Sequence, residues 1–264
     1  MRLGGANIMS AKTGGRMRAE RSSMTPLSLW PVLMTATIAP PPLPHLTVTD
    51  PQERWRQYES ALRFWTSRSC VRQVVFCDNS GFPVDYAPII RWAREHGKTI
   101  EVFSYAGNQD TVTRGRAYGE GELIRYALGV SRVLGNSPGF FKVTGRIIVE
   151  NFDQLERLTR RHRVVVSKRS LRRPGWADTR FFKMDCVFYR RHLMTLHETA
   201  DGDDWILGDA YAMALGPLDI PSFPRALRIH GVAGNGASYY DGIGRYLLKS
   251  LLARSGLYRI RTVT

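Results

Sequence analysis

The sequence predicts an α/β architecture, a mostly parallel Rossmann-type sheet flanked by helices in a single domain. From Trp30 onward, short runs rich in Val, Ile, Phe and Thr alternate with stretches of helical spacing, the rhythm of strand and helix in turn. Small, polar, turn-forming residues follow the runs rather than interrupt them. The 264 residues allow one large domain or two small ones. Apolar residues at 43% and charged residues at 23% are ordinary globular usage, which excludes a fully disordered chain and a polytopic membrane protein.

Residues 1–28 are rich in Gly, Arg, Met and Ser, show no apolar periodicity and contain Met9, Met17 and Met24 as alternative starts, so they read as a disordered or misannotated leader. The apolar stretch from Leu27 to Ile38 is too short and too proline-bearing to span a bilayer, which takes ~20 apolar residues. It reads instead as the first core strand, Val32 to Ile38, ended by Pro40-Pro41-Pro42, and the domain is expected over 29–264. Asp50 ahead of Pro51 predicts a helix start, and Trp55, Tyr58, Leu62 and Trp65 supply its buried face. Val71 to Cys77 predicts the second strand, ended by Asp78-Asn79-Ser80-Gly81. Tyr86 to His96 predicts a helix closed by Gly97, and Ile100 to Tyr105 a third strand.

A polar loop, Gly107 to Tyr118, is expected next, then a helix from Gly119 to Leu134 with Leu123, Ile124, Ala127, Leu128 and Val130 inward. Phe140 to Thr144 reads as the fourth strand, Ile147-Ile148-Val149 follows, and Asn151 is expected to cap a helix through Arg161. Arg163 to Ser167 and Phe181 to Phe188 complete the strands. A glycine-rich loop, Gly231 to Gly236, and an amphipathic helix near 242–254 close the chain.

The formal charge is +15, from 38 Lys and Arg against 23 Asp and Glu. Such a balance suggests nucleic acid, an anionic membrane or phosphorylated substrates. Only six of the cations are Lys, a skew that background Arg bias and a functional basic face explain equally well. The densest clusters, Arg160 to Arg163 and Lys168 to Arg173, belong to no helix-turn-helix or RNA-binding signature, so nucleic acid is not expected as a partner. A basic nucleic-acid-binding protein and a non-catalytic module of a polysaccharide assembly complex remain the alternative functions. Cys70, Cys77 and Cys186 show no metal-ligand spacing and read as reduced thiols of a cytoplasmic protein.

In open α/β sheets, ligands bind at the carboxyl ends of the strands. The residues expected there are Thr35 and Thr37, then Asp78 to Gly81, then Asn108 to Arg116, then Thr144-Gly145-Arg146. Neither a P-loop nor a G-x-G-x-x-G after the first strand occurs, which argues against a nucleotide triphosphatase or a dinucleotide oxidoreductase.

Three segments then carry a resemblance. The first strand ends in Thr35-Ala36-Thr37-Ile38-Ala39-Pro40, the second in Phe76-Cys77-Asp78-Asn79-Ser80-Gly81, and a helix begins at Tyr118-Gly119-Glu120-Gly121-Glu122. Together with Lys142-Val143-Thr144-Gly145-Arg146 they resemble the bacterial GT-A-like glycosyltransferases of capsular polysaccharide and lipopolysaccharide O-chain synthesis, over about residues 32–240. The resemblance implies a nucleotide-sugar donor and a growing surface glycan or lipid-linked glycan as acceptor, with the enzyme cytoplasmic and in peripheral contact with the inner membrane face. It implies that Thr37 lies beside the nucleotide and that Asp78 and Asn79 approach its base or ribose. Arg116, Glu120 and the helix start then face the diphosphate and donor sugar. A helix amino terminus and a bidentate guanidinium both suit a diphosphate. The alternatives are a plain turn for Asp78 to Gly81 and a solvated loop charge for Arg116.

One departure bears on metal use. Where the resembled enzymes carry Asp-x-Asp for a divalent cation, this chain reads Thr144-Gly145-Arg146. Lys142 and Arg146 would neutralise the leaving diphosphate in its place, or other carboxylates such as Asp78 or Asp185 would hold a metal. The general base is expected in the acidic segment Asp201 to Leu215, with Asp209, Asp204 and Asp203 as candidates, although Asp209 also fits a helix cap. His230, ahead of the glycine-rich loop, is a candidate donor-site ligand or a structural histidine. The helix near 242–254 has two readings. It either docks on the sheet through Tyr246, Leu247, Leu248, Leu251 and Leu252, or lies in lipid headgroups with Arg245, Lys249 and Arg254 at its flank.

Overall fold

The computed structural model describes residues 30–43, 46–173, 175–202, 204–232, 238–239 and 243–261. The expected leader, Asp203 and most of the glycine-rich loop lie outside them. The architecture is α/β, as the strand–helix rhythm predicts. A six-stranded sheet runs in the order β3-β2-β1-β4-β7-β6. Its strands are β1 (Val32–Ala36), β2 (Gln73–Asp78), β3 (Thr99–Ser104), β4 (Gly139–Thr144), β6 (Val164–Val165) and β7 (Phe181–Asp185). The pairs β1–β2, β1–β4 and β2–β3 are parallel, and β7 runs antiparallel to both of its neighbours.

Strand periodicity divides the sheet residues between two cores. Val32, Met34, Val74, Phe76, Phe141 and Val143 face one side, against α1 (Pro51–Ser67), α2 (Ala87–Glu95) and α5 (Phe152–Thr159). Leu33, Val75, Phe140, Phe182 and Met184 face the other, against α3 (Thr111–Val130), α4 (Arg132–Gly135), α6 (Cys186–His192) and α7 (Leu207–Leu215). Asp50 caps α1 as expected, its carboxylate accepting the N–H groups of Gln52 at 3.2 Å and Glu53 at 3.1 Å. Gly97 closes α2 at φ +66°, a conformation that suits glycine. Cys70, Cys77 and Cys186 are free thiols.

Four expectations are corrected. The expected loop before Tyr118 is already helical, because α3 begins at Thr111; Gly115, at φ +84°, breaks it into a short leading turn and a long body. The run Phe181 to Phe188 is strand only to Asp185, whose carboxylate turns to accept the Phe188 N–H at 2.9 Å and starts α6. Asn151 stands at the N-cap position of α5 as expected, but its side chain does not cap the helix; it holds the backbone of Ala226 and Arg228, each at 3.0 Å. Those bonds tie down a second, three-stranded sheet, β5 (Ile147–Val149), β8 (Ile229–Val232) and β9 (Ser238–Tyr239), to which Ile147-Ile148-Val149 belongs. The fourth correction concerns the final helix, α8 (Ile243–Arg254). Leu247, Leu248 and Leu251 do not dock on the sheet but face outward, and the buried positions are Ser250 and Ala253. No helix among the described residues is long and apolar enough to cross a membrane.

Candidate functional site: a cleft at the carboxyl ends of the parallel strands

The ends of β1, β2 and β4 open onto a cavity of about 220 Å³. Its floor comes from Thr35 to Thr37 and Thr144, its far wall from α3 through Thr111, Arg116, Gly119 and Glu120, and its near wall from Arg54 and Tyr58 of α1. Pro40, Leu43 and Leu46 supply an apolar rim. The strand register sets the floor, since Thr35 stands opposite Thr144 and Ala36 opposite Asp78.

Of the residues expected from the sequence, Thr37, Asn79, Arg116, Glu120, Thr144 and Arg146 line this cavity. Thr37 donates its hydroxyl proton to Asn79 Oδ1 at 2.7 Å, which fixes the amide and leaves its Nδ2 toward Gly119. Arg116 is exposed at the start of the α3 body, and Arg146 is buried with Nη1 donating to Gln57 Oε1 at 3.0 Å. Glu150, near Arg146 in sequence, pairs with Arg228 at 3.0 Å.

Lys142 is fully buried and does not line the cavity. Its ammonium forms an ion pair with Glu120 and donates to Thr144 Oγ1 at 3.1 Å and to the Thr179 carbonyl at 2.7 Å. It therefore reaches the cleft only through two lining residues, Thr144 and Glu120, the latter the carboxylate of the described cavity lining. Asp78 is likewise withdrawn. Its carboxylate accepts the Ile38 N–H at 2.8 Å, the Ser80 hydroxyl at 2.8 Å and the Ser104 hydroxyl at 3.0 Å, so it ties the end of β1 to β2 and β3. Burial pushes its carboxyl above the usual carboxylate range, against the opposing pull of those bonds.

Gly145 holds the backbone close. Its N–H donates to the Thr35 carbonyl at 2.9 Å, and a Cβ there would stand 2.7 Å from that oxygen and 3.0 Å from the Tyr58 ring. The glycines of Gly119-Glu120-Gly121 serve packing. A Cβ on Gly119 would meet the Thr111 hydroxyl at 2.6 Å, and one on Gly121 the His197 ring at 2.2 Å.

The remaining candidates lie elsewhere. Asp209 sits in the first turn of α7, paired with Arg173, and Asp204 is exposed; neither lines the cleft. His230, on β8, lines a neighbouring groove of about 440 Å³ that shares Arg146 with the cleft. Among the described residues no three His, Cys, Asp or Glu side chains converge on a metal position. Asp185, the other carboxylate considered for a metal, caps α6 and pairs with Arg163. The donor set of the cleft does not fit a cation held by several protein carboxylates.

Two cleft residues escape a reading of the sequence. Arg54, almost fully buried, donates to the Thr37 carbonyl from Nε at 2.8 Å and from Nη2 at 2.6 Å. The Tyr58 hydroxyl accepts the Thr37 N–H at 3.0 Å. Their signal is an arginine four residues before a tyrosine on the inward row of α1, where a purely structural helix would be apolar. No protein-family model matches this chain, and no curated protein matches it.

Proposed function

We propose that the cleft binds a nucleotide sugar and that the protein transfers its glycosyl group to a hydroxyl of a growing surface polysaccharide or lipid-linked glycan. The observation that carries this reading is the polarity of the cavity. The described lining brings together hydroxyl and amide groups (Thr37, Asn79), three guanidinium groups (Arg54, Arg116, Arg146) and one lysine-held carboxylate (Glu120). A nucleoside takes directional hydrogen bonds, a diphosphate takes guanidinium groups, and a sugar hydroxyl takes a carboxylate.

Chemically, the acceptor hydroxyl oxygen bonds to the anomeric carbon while the bond from that carbon to the diphosphate oxygen breaks. The hydroxyl proton passes to a carboxylate, and the electron pair leaves on the diphosphate. In this reading Glu120, rather than Asp209 or Asp204, takes the proton, because it is the carboxylate of the described lining. Arg116 and Arg146 face the charge that grows on the leaving group, as fixed cations stabilise developing charge. No step is routed through a metal.

The test is a thermal-shift panel of uridine-, guanosine- and cytidine-linked sugars, followed by an assay for nucleoside diphosphate release with glycan acceptors. A donor at a hundred times its Kd stabilises by about 2.7 kcal/mol. Arg146→Ala removes a charge-assisted contact of about 1.5–3 kcal/mol, so donor affinity falls about tenfold or more. Glu120→Gln keeps donor binding and loses transfer. A panel in which no nucleotide sugar moves the melting temperature, or an Arg146→Ala protein with unchanged donor affinity and turnover, overturns the reading.

A further inference from the structure

Helix α8 is inverted for a helix at the edge of a core. Ile243, Leu247 and Leu251 form one row at four-residue spacing, with Leu248 beside it, and they are 71%, 53%, 63% and 58% exposed. The inward face is small and polar instead. The Ser250 hydroxyl accepts the Ala226 N–H at 3.3 Å, and Ala253 is buried beside it. A single exposed leucine needs no explanation, but a contiguous aliphatic stripe on a helix marks a contact surface.

On another flank of the same helix lies a basic cavity of about 300 Å³. Arg245 and Lys249 reach it from α8, Arg225 from the segment before β8, and Lys168, Arg169 and Arg180 from the chain around the start of β7. The carboxylate of this lining, Asp178, is held by Arg180 at 2.6 Å and Arg169 at 3.3 Å, and among the described lining residues there are six cations and this one acid. Burial, with a smaller push from Arg261, holds Lys168 below the ordinary lysine range.

We propose that this face docks on an anionic membrane surface, with the outward row of α8 seated at the boundary of headgroups and acyl chains and lipid phosphate groups entering the basic cavity. Charge selects the occupant. The chain carries +15, and the stripe adjoins Arg245, Lys249 and Arg254 on its own helix. A second copy of the chain would bring the same cations against these and be repelled. Apolar insertion and attraction to anionic lipid act together on such a helix. The inference stands on α8 and its cavity and is independent of the reading of the cleft.

Co-sedimentation of the full chain with vesicles tests it. The lipids are phosphatidylcholine alone, phosphatidylcholine with phosphatidylglycerol, and phosphatidylcholine with phosphatidic acid. The protein is expected on both anionic vesicles and not on the neutral ones, with retention falling as salt rises. Leu247→Asp with Leu251→Asp changes only exposed positions, so the fold persists by circular dichroism while partitioning drops at least about tenfold. Arg225→Ala with Lys249→Ala removes two cations and drops it about thirtyfold. Absence of retention on anionic vesicles overturns the proposal, as does retention unchanged in both variant pairs. A dimer by light scattering that Leu247→Asp with Leu251→Asp splits, in a protein that vesicles ignore, makes the row a protein interface instead. Inorganic pyrophosphate that stabilises the wild type but not the Arg225→Ala/Lys249→Ala protein, again with no vesicle binding, assigns the cavity to a soluble phosphate and overturns the membrane.

Discussion

A lysine with no exposure on a central strand must be answered by an acid, and Lys142 is answered by Glu120. Lys142→Met leaves that carboxylate without its cation beside apolar neighbours. We expect a loss of about 3 kcal/mol by urea unfolding, the low end for a broken buried pair because Glu120 keeps some solvent contact. Gly145→Ala pushes a methyl against the Thr35 carbonyl and costs about 1–3 kcal/mol, measured the same way. Lys183 adds a pH dependence. Burial pushes its ammonium down to about 8 from 10.5, so between those values the unfolded chain binds the proton that the folded chain has released. Stability therefore rises as pH climbs from about 8 to about 10.5, by roughly 3 kcal/mol from this group, and Lys183→Met removes that rise. At this scale the sequence shows which residues crowd the strand ends, since Thr37, Asn79, Thr144 and Arg146 follow directly from the strand assignments. It does not show that Lys142 and Asp78 are consumed by internal partners, because Glu120, Thr179, Ser104 and Ile38 reach them only after the sheet is assembled.

At the scale of elements, local signals succeed where local chemistry decides. Asp50-Pro51 starts α1 because both the cap and the fixed proline φ act within one turn. They fail where a distant segment competes for the same side chain. Asn151 has the identity of a helix cap, yet Ala226 and Arg228 claim its amide and make it the clasp between α5 and the second sheet. Asn151→Ala is thus expected to cost about 1–3 kcal/mol, with hydrogen exchange speeding in β5 and β8 before the main sheet. Asp185 shows the opposite case, a strand-like run cut short by a carboxylate that caps α6 and pairs with Arg163. The leucines of α8 were ambiguous for a different reason. Helical spacing shows that a face exists but not which way it points, and only the packing of Ser250 and Ala253 turns it outward.

Across the whole molecule, one sheet carries a core on each face, and both cores include side chains of β1, β2, β4 and β7. Neither can melt while the other stands, so calorimetry is expected to show a single transition with matching calorimetric and van't Hoff enthalpies. The order of the sheet was not legible from the strand list, since alternation of strands and helices fixes neither which strands are neighbours nor that β7 runs backward. That order has a consequence for synthesis. β1 is the first of the described strands to be made and lies inside the sheet, but Val32 pairs with Phe141 and Val74, so one of its two edges waits until β4 has left the ribosome. Throughout that interval a mostly apolar strand, destined for burial along its whole length, presents an unpaired edge, the kind of surface that recruits other chains. Nascent chains stalled before Gly139 should therefore bind hydrophobic-sequence chaperones through β1, and chains released beyond Asp185, with β4 and β7 both in place, should let go.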